Sequence, residues 1–294
     1  MNRTPIVSVL MTAYNRAMYI TEAIQSIIDS SYKSFELIIV DDGSSDRTLE
    51  IAHNFSKVDE RIRVYQNEKN LGDYPNRNKA ASYATGKYLK YLDADDVIYP
   101  YSLQIMVEAM ENYQKAGLAL SFNIIDDTKP YPQLIEPQEA YKSFFLCKNV
   151  LGVGPSAAII RRKCFESVGG FSGRQYVGDT ELWLKLAGRY PVVKLQPSLV
   201  WWRRHENQQM KSELKNYDVL NVRHRMMLDV LDNCGNLLTD PEKAIARKFH
   251  TYRHARTVWN LAIKQKKLIP AFRLFRDSRL TIWNILTAIK NKNL

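Results

Sequence analysis

The sequence predicts an α/β fold, a parallel sheet with helices on both faces, followed by a helical C-terminal region. Three observations point there. Short β-rich runs alternate with helical patterns through the first hundred residues. Three of these runs end in polar or acidic residues, and no strand pattern survives beyond about Gln208.

Ile6 to Met11 reads as a buried strand that stops at Thr12. Ile20, Ala23, Ile24, Ile27 and Ile28 then recur at the spacing of one helix face. Phe35 to Val40 is a second, mostly apolar strand, ending at Asp41-Asp42-Gly43. A helix follows over Leu49 to Phe55, with Ser44, Ser45 and Asp46 as available caps. Arg61 to Tyr65 alternates with period two, as a half-buried strand does. A helix after Pro75 leads to the strand Tyr88 to Leu92, which runs into Asp93-Ala94-Asp95-Asp96. Further on, the patterns predict a helix over Tyr101 to Lys115, strands at Leu118 to Phe122 and Ser156 to Ile160, and a loop over Pro130 to Pro137. A short helix is expected over Asp179 to Arg189, with strands at Val192 to Leu195 and Leu199 to Trp202. Long helices fill the remainder, with breaks expected near Asn233-Cys234-Gly235 and at Pro270. In such sheets ligands bind beyond the carboxyl ends of the strands. Thr12 to Asn15, Asp41-Asp42 and Asp93 to Asp96 all fall there.

Composition narrows the function classes. The 294 residues are 45% hydrophobic and 25% charged, an ordinary globular balance. Cys147, Cys164 and Cys234 are odd in number and widely spaced, which speaks against a disulfide scaffold or zinc site and for a reducing, cytoplasmic setting. No uncharged apolar run approaches the ~20 residues of a bilayer span, and the N-terminus lacks a signal-like cleavage site. The net charge of +11 is uneven. Residues 1–210 carry 25 Lys/Arg against 24 Asp/Glu, and residues 211–294 carry 17 against 7. The last stretch interleaves basic residues with Trp259, Phe272, Phe275 and Trp283. It reads either as solvated faces of packed helices or as a surface for an anionic membrane, which would place the protein peripherally on the inner face. Nucleic acid would also answer to the charge, but no recognition motif supports it.

Asp93-Ala94-Asp95-Asp96 reads either as turn and cap residues or as a divalent-cation site. Hard Mg²⁺ or Mn²⁺ takes carboxylate and phosphate oxygens, and a cation would relieve the repulsion among three acids. Asp41 and Asp42 serve a polar turn, and a carboxylate there could also accept the ring N–H of a pyrimidine on which Tyr14 stacks. Neither the Gly-rich dinucleotide fingerprint nor a P-loop is present, so a metal is the expected partner of a diphosphate.

The runs VSVLMTAYNR (7–16), FELIIVDDGSSDRT (35–48) and RNKAASYATGKYLKYLDADD (77–96) resemble glycosyltransferase family 2. The resemblance continues through RRKCFESVGGF (161–171), VGDTELWLKL (177–186) and WWRRHENQQ (201–209), covering about residues 5–210. It implies the GT-A fold, a Rossmann-like, mixed, mostly parallel sheet flanked by helices. The catalytic domain would span 1–207, its nucleotide-sugar half 1–100 and its acceptor half 101–207, with a basic helical region at 208–294. By the same resemblance Thr12, Ala13, Tyr14 and Asn15 belong to the loop that holds base and ribose. Asp42 with Asp41 meets the base, and Arg77 lies near the nucleotide. Asp93 and Asp95 bracket Ala94 as the ends of the DxD motif, toward ribose and metal respectively. Asp179 is the general base, and His205 sits near metal and diphosphate. Two positions depart from the family pattern. Thr12-Ala13 replaces Pro-Thr, and Gly178 replaces an acid before Asp179, which weakens analogies about the acceptor.

The implied activity is a Mn²⁺- or Mg²⁺-dependent inverting transfer from a nucleotide sugar, a UDP-sugar by expectation. The acceptor would be a saccharide or a lipid-linked saccharide in cell-surface polysaccharide synthesis. The dipole at the start of the Asp179 helix should favour the ionised carboxylate; the plain alternative is that Asp179 only caps that helix. Trp183, Trp201 and Trp202 either stack on sugar rings or act as buried anchors, and Arg203-Arg204-His205 suits charge-assisted diphosphate contacts. Two competing functions remain, a non-catalytic nucleotide-sugar or glycan binder and a sugar nucleotidyltransferase.

Overall fold

The computed structural model describes residues 5–122, 129–147, 151–205 and 217–290, which form two compact units. The first comprises residues 1–140, 150–173 and 178–203, and the second residues 141–149, 174–177 and 204–294.

The first unit is built on an eight-stranded sheet. Strands β1 (Val7–Ala13), β2 (Phe35–Asp41), β3 (Ile62–Gln66) and β4 (Tyr88–Tyr91) alternate with helices α1 (Ile20–Ile28), α2 (Thr48–Ser56) and α3 (Asp73–Ser82). β5 (Val97–Ile98), α4 (Ser102–Asn112), β6 (Leu118–Ser121) and β7 (Gln133–Ile135) follow. After α5 (Pro137–Leu146) come β8 (Ala158–Arg161), α6 (Arg162–Ser167), α7 (Gly178–Ala187), β9 (Val192–Leu195) and β10 (Val200–Trp201). The sheet order is β3-β2-β1-β4-β8-β6-β9-β7. Its first four strands are parallel, β6 runs parallel to β9, and β8 and β7 run antiparallel to their neighbours. The sheet is therefore mixed and mostly parallel. β5 and β10 form a separate antiparallel pair.

Apolar patterning accounts for the placement. All of β2 is buried, as its apolar run Leu37 to Val40 requires of a strand covered on both faces, and Ile20, Ala23, Ile24 and Ile27 bury the inner face of α1. Gly86 permits close approach at the start of β4, since a Cβ there would lie 2.7 Å from the Ser8 nitrogen. Two elements differ from the sequence patterns. β7 lies in the stretch Pro130 to Pro137 that the sequence suggests is loop, because β9 supplies the partner for a strand too short to show a period. Ser156 begins no strand but lies in a short 3-10 turn before β8.

In the second unit, α8 (Asp218–Asn233), α9 (Asp240–Trp259), α10 (Leu268–Asp277) and α11 (Ile282–Lys290) are joined by short turns. A capping box opens α9, with Thr239 and Glu242 bonding each other's backbone N–H groups. Pro270 does not interrupt a helix. It lies in the first turn of α10, where its missing N–H is one of those with no intrahelical partner, and the break falls earlier, after a π turn at Asn260–Lys264. Ala255, Val258, Leu261, Ala271, Leu274, Leu280 and Ala288 form the core of this unit. Among the described residues no helix is long and apolar enough to cross a membrane.

Candidate functional site

Parallel strands bring the ends of β1, β2 and β4 side by side, and the loops that follow them are tied together by specific hydrogen bonds. Asn15 adopts a left-handed conformation (φ 53°), which its short polar side chain tolerates. Its N–H donates to Ser44 Oγ at 2.9 Å, and its Oδ1 accepts from the Ser45 N–H at 2.9 Å. The Arg16 N–H donates to Thr48 Oγ1 at 2.7 Å, and the Ala17 N–H to Asp46 Oδ2 at 3.0 Å. Thr12 and Ala13 end β1, and Tyr14 is left about half exposed at the rim.

The two acids after β2 are both buried and do different things. Asp42 accepts from Asn67 Nδ2 (2.7 Å), the Leu71 N–H (2.9 Å) and the Gly72 N–H (2.9 Å), which fixes the loop into α3. Asp41 Oδ1 accepts from the Gly43 and Ser44 N–H groups, while its Oδ2 is buried with no hydrogen-bond partner among the described residues.

Arg77 is the hub. Projecting from α3 and 6% exposed, it donates from Nε to Asp73 Oδ1 at 2.7 Å, and its Nη2 lies 2.8 Å from Asp93 Oδ1. Burial opposes its charge, but Asp73 and Asp93 outweigh that and raise its pKa further. Asp73 itself is pushed above the usual carboxylate range, mainly by burial against the pull of Arg77, with Asp93 and Asp42 adding like charge.

Beyond β4, one carboxylate oxygen each from Asp93, Asp95 and Asp96 lies within 4.8 Å of the others. Ala94, between them, is buried. Asp95 pairs with Arg16 Nε at 3.0 Å. Asp96 is pushed up to about 7, first by burial and then by Asp93. Beneath the turn, fully buried Lys90 donates to the carbonyls of Tyr91 (2.7 Å) and Ser156, while Ser156 Oγ accepts from the Asp93 N–H at 3.0 Å. Three hard oxygen donors, one carrying a burial-raised carboxyl, match what Mg²⁺ or Mn²⁺ takes.

Asp179 lies in the first turn of α7, with Oδ1 accepting from the Thr180 N–H at 2.6 Å. Burial pushes its carboxyl up, against the hydrogen bond from Thr180 and the attraction of Arg77, so desolvation outweighs the helix-start dipole expected to keep it ionised. The absence of an acid before it has a packing reason. A Cβ on Gly178 would lie 2.7–2.8 Å from the ring of Tyr74, which also stacks on Phe171.

The structure thus gathers Asp42, Asp73, Arg77, Asp93 and Asp179 into one electrostatic neighbourhood, with Asp95 and Asp96 beside it. The tryptophans divide. Trp183 is fully buried and donates Nε1–H to the Val153 carbonyl at 2.8 Å, so the anchor reading applies and the sugar platform does not. Trp201 and Trp202 are exposed, and the Arg203 guanidinium stands 4.5 Å from the Trp201 ring centroid. Exposed Arg204 and part-buried His205 fall in the second unit. The sequence patterns do not single out Arg16, Asp73 or Ser156. Only Asp73, four residues before Arg77 on one helix, carries a readable signal.

Residues 8–169 match the family model described as Glycosyl transferase family 2, more than half of the chain. The chain belongs to glycosyltransferase family 2. It is 34% identical over 163 residues to TuaG of Bacillus subtilis (strain 168), whose name assigns it to teichuronic acid biosynthesis, covering 55% of this chain and 64% of that protein. The chain spans between about a third and two thirds of the length of the first curated relatives it matches. Among solved structures it is similar to S. aureus TarS 1–349 in complex with UDP-GlcNAc, with a TM-score of 0.70, 18% identity, and coverage of 97% of this chain and 91% of that one. It is also similar to the mannosyltransferase PcManGT from Pyrobaculum calidifontis in complex with GDP-Man and Mn²⁺, with a TM-score of 0.60, 16% identity, and coverage of 99% and 80%. At these identities the likeness speaks to fold, and the fold is the GT-A type that the family 2 motifs imply.

Proposed function

We propose that this family 2 member transfers a sugar from a nucleotide sugar, a UDP-sugar in our reading, to a hydroxyl of a saccharide or lipid-linked saccharide, with inversion at the anomeric carbon. The observation that carries the reading is the convergence of Asp42, Arg77, Asp93, Asp95 and Asp179 from different elements on one end of the sheet. UDP-GlcNAc in TarS and the biosynthetic assignment of TuaG support a UDP-sugar and a cell-surface polysaccharide. In this reading residues 1–207 are catalytic, 1–100 holding the donor and 101–207 the acceptor.

Tyr14 and the loop Thr12 to Asn15 hold base and ribose, with Asp41 and Asp42 below them. Arg77 pairs with Asp93 and orients it toward the ribose. Asp95, with Asp93 and Asp96, would hold Mn²⁺ or Mg²⁺, which when bound stabilises the charge on the departing diphosphate. Asp179 accepts the proton of the acceptor hydroxyl as that oxygen bonds to the sugar carbon, while the bond to the diphosphate breaks and its electron pair leaves with the nucleotide. Burial raises the Asp179 carboxyl, which makes its carboxylate a stronger base than an exposed one. The setting is cytoplasmic, with basic residues 211–294 holding the protein at an anionic inner membrane surface, near a lipid-linked acceptor.

The test incubates the chain with Mn²⁺ and a panel of nucleotide sugars and identifies the nucleotide released. Release of UDP that Asp95→Asn abolishes supports the reading. Release of pyrophosphate from a sugar phosphate and a nucleoside triphosphate would make the protein a nucleotidyltransferase. Donor binding with no turnover by either wild type or Asp179→Asn would make it a non-catalytic binder.

A further inference from the structure

The last two helices share a pattern that the core of their unit does not use. In α10, Ala271 and Leu274 are buried, while Leu268, Ile269 and Phe272 are exposed and Arg276 follows one turn on. In α11, Ala288 is buried, while Ile282, Trp283 and Leu286 are exposed and Lys290 follows one turn on. Both helices therefore repeat the spacing i, i+1, i+4, i+8, with large apolar residues first and a cation last. Ile269 is 76% exposed, Phe272 66%, Ile282 69% and Trp283 74%. Side chains of this size at this exposure, repeated on two helices rooted in one core, exceed the scattered apolar residues of an ordinary surface.

Charge identifies the occupant. Residues 264–290 contain seven Lys/Arg against the single acid Asp277, which is already paired with Arg276 at 2.8 Å. We infer that the exposed faces of α10 and α11 form a docking surface for an anionic lipid bilayer. The apolar residues enter the headgroup boundary, and the flanking Lys and Arg side chains reach the lipid phosphates. Trp283 suits that boundary, having an apolar ring and one N–H donor. A second copy of this chain fits poorly, because a two-fold contact would press the basic rims together. The inference deepens the proposed membrane setting of residues 211–294 and rests on it for the choice of partner.

The test is flotation of the full chain with vesicles of phosphatidylglycerol and phosphatidylcholine, beside vesicles of phosphatidylcholine alone. The protein should float with the anionic vesicles at low salt and be released as salt rises. Phe272→Ser/Trp283→Ser alters only exposed side chains, so its circular dichroism should match the wild type while vesicle partitioning falls about tenfold or more. Arg273→Glu/Lys290→Glu should lower the salt concentration at which half the protein is released. UDP release from a nucleotide sugar, measured without vesicles, should be unchanged in both variants, which separates failure of this surface from failure of the glycosyltransferase reading. A full chain that stays unbound at low salt would overturn the inference, as would a Phe272→Ser/Trp283→Ser variant that floats like the wild type. Conversion of a dimer to a monomer by that variant, with no vesicle binding by either form, would assign the surface to a second copy instead.

Discussion

Replacing Arg77 by methionine tests whether the site is held by charge. The arginine is 6% exposed and faces Asp73 at 2.7 Å and Asp93 at 2.8 Å. Methionine fills much of the same space but leaves both carboxylates without their cation. Breaking a buried pair costs about 3–5 kcal/mol. Two features pull the expectation to the lower end. The Asp93 side chain is 30% exposed, so water takes up part of its charge. Asp73 already has a raised pKa and can escape by taking a proton. The expected loss is about 3 kcal/mol, or about 1 M in the urea midpoint for a slope of about 3 kcal/mol/M. Urea unfolding followed by circular dichroism reads it directly. Asp73→Asn/Arg77→Met should be less destabilised than the sum of the single variants, because removing one orphaned carboxylate recovers part of the loss, with a coupling of about 1 kcal/mol or more. An Arg77→Met protein with a wild-type midpoint, or strict additivity in the double variant, would refute an ion-paired hub.

Three further expectations follow from the geometry. Asp179→Asn should lower kcat by about two to four orders of magnitude with little change in donor KM. In the wild type, activity should fall as pH drops through a carboxyl pKa raised above the ordinary range, a limb that the variant lacks. His224 and His254 are buried and His250 is part-buried in the second unit, their pKa values lowered to about 4 (His224), 3 (His254) and 4 (His250), foremost by desolvation. The unfolded chain therefore takes up these protons first, so stability is intact above about pH 6.5 and is lost as pH falls toward 4. His224 alone accounts for about 3 kcal/mol, and a denaturation midpoint that stays flat between pH 7 and 4.5 would contradict this. Gly178→Ala should cost about 1–3 kcal/mol through overpacking against the Tyr74 ring and should lower kcat by displacing Asp179. Unfolding and single-turnover rates measured together would show whether the two losses coincide.

The strands β1 to β4 and the acids at their tips were readable from residue order alone, because apolar runs and helix periods are local and parallel sheets align strand ends. Ile20, Ala23, Ile24 and Ile27 bury themselves as their spacing demands, and β2 is buried throughout. Long-range packing settled the rest. β7 exists because β9 offers it an edge, and Pro270 opens a helix where its pattern suggested a break. Trp183 lies buried against Val153, while Trp201 and Trp202 remain at the surface, a distinction that three tryptophans in a string of letters do not carry. Whether Asp42 faces a ligand or ties down a loop depends on Asn67, Leu71 and Gly72 arriving from elsewhere. The upward pKa shift of Asp179 likewise follows from desolvation on burial, which only the folded chain provides. Propensity and periodicity act over a few residues and mark out the elements, whereas burial, hydrogen-bond saturation and charge environment are sums over neighbours that exist only once the chain has folded.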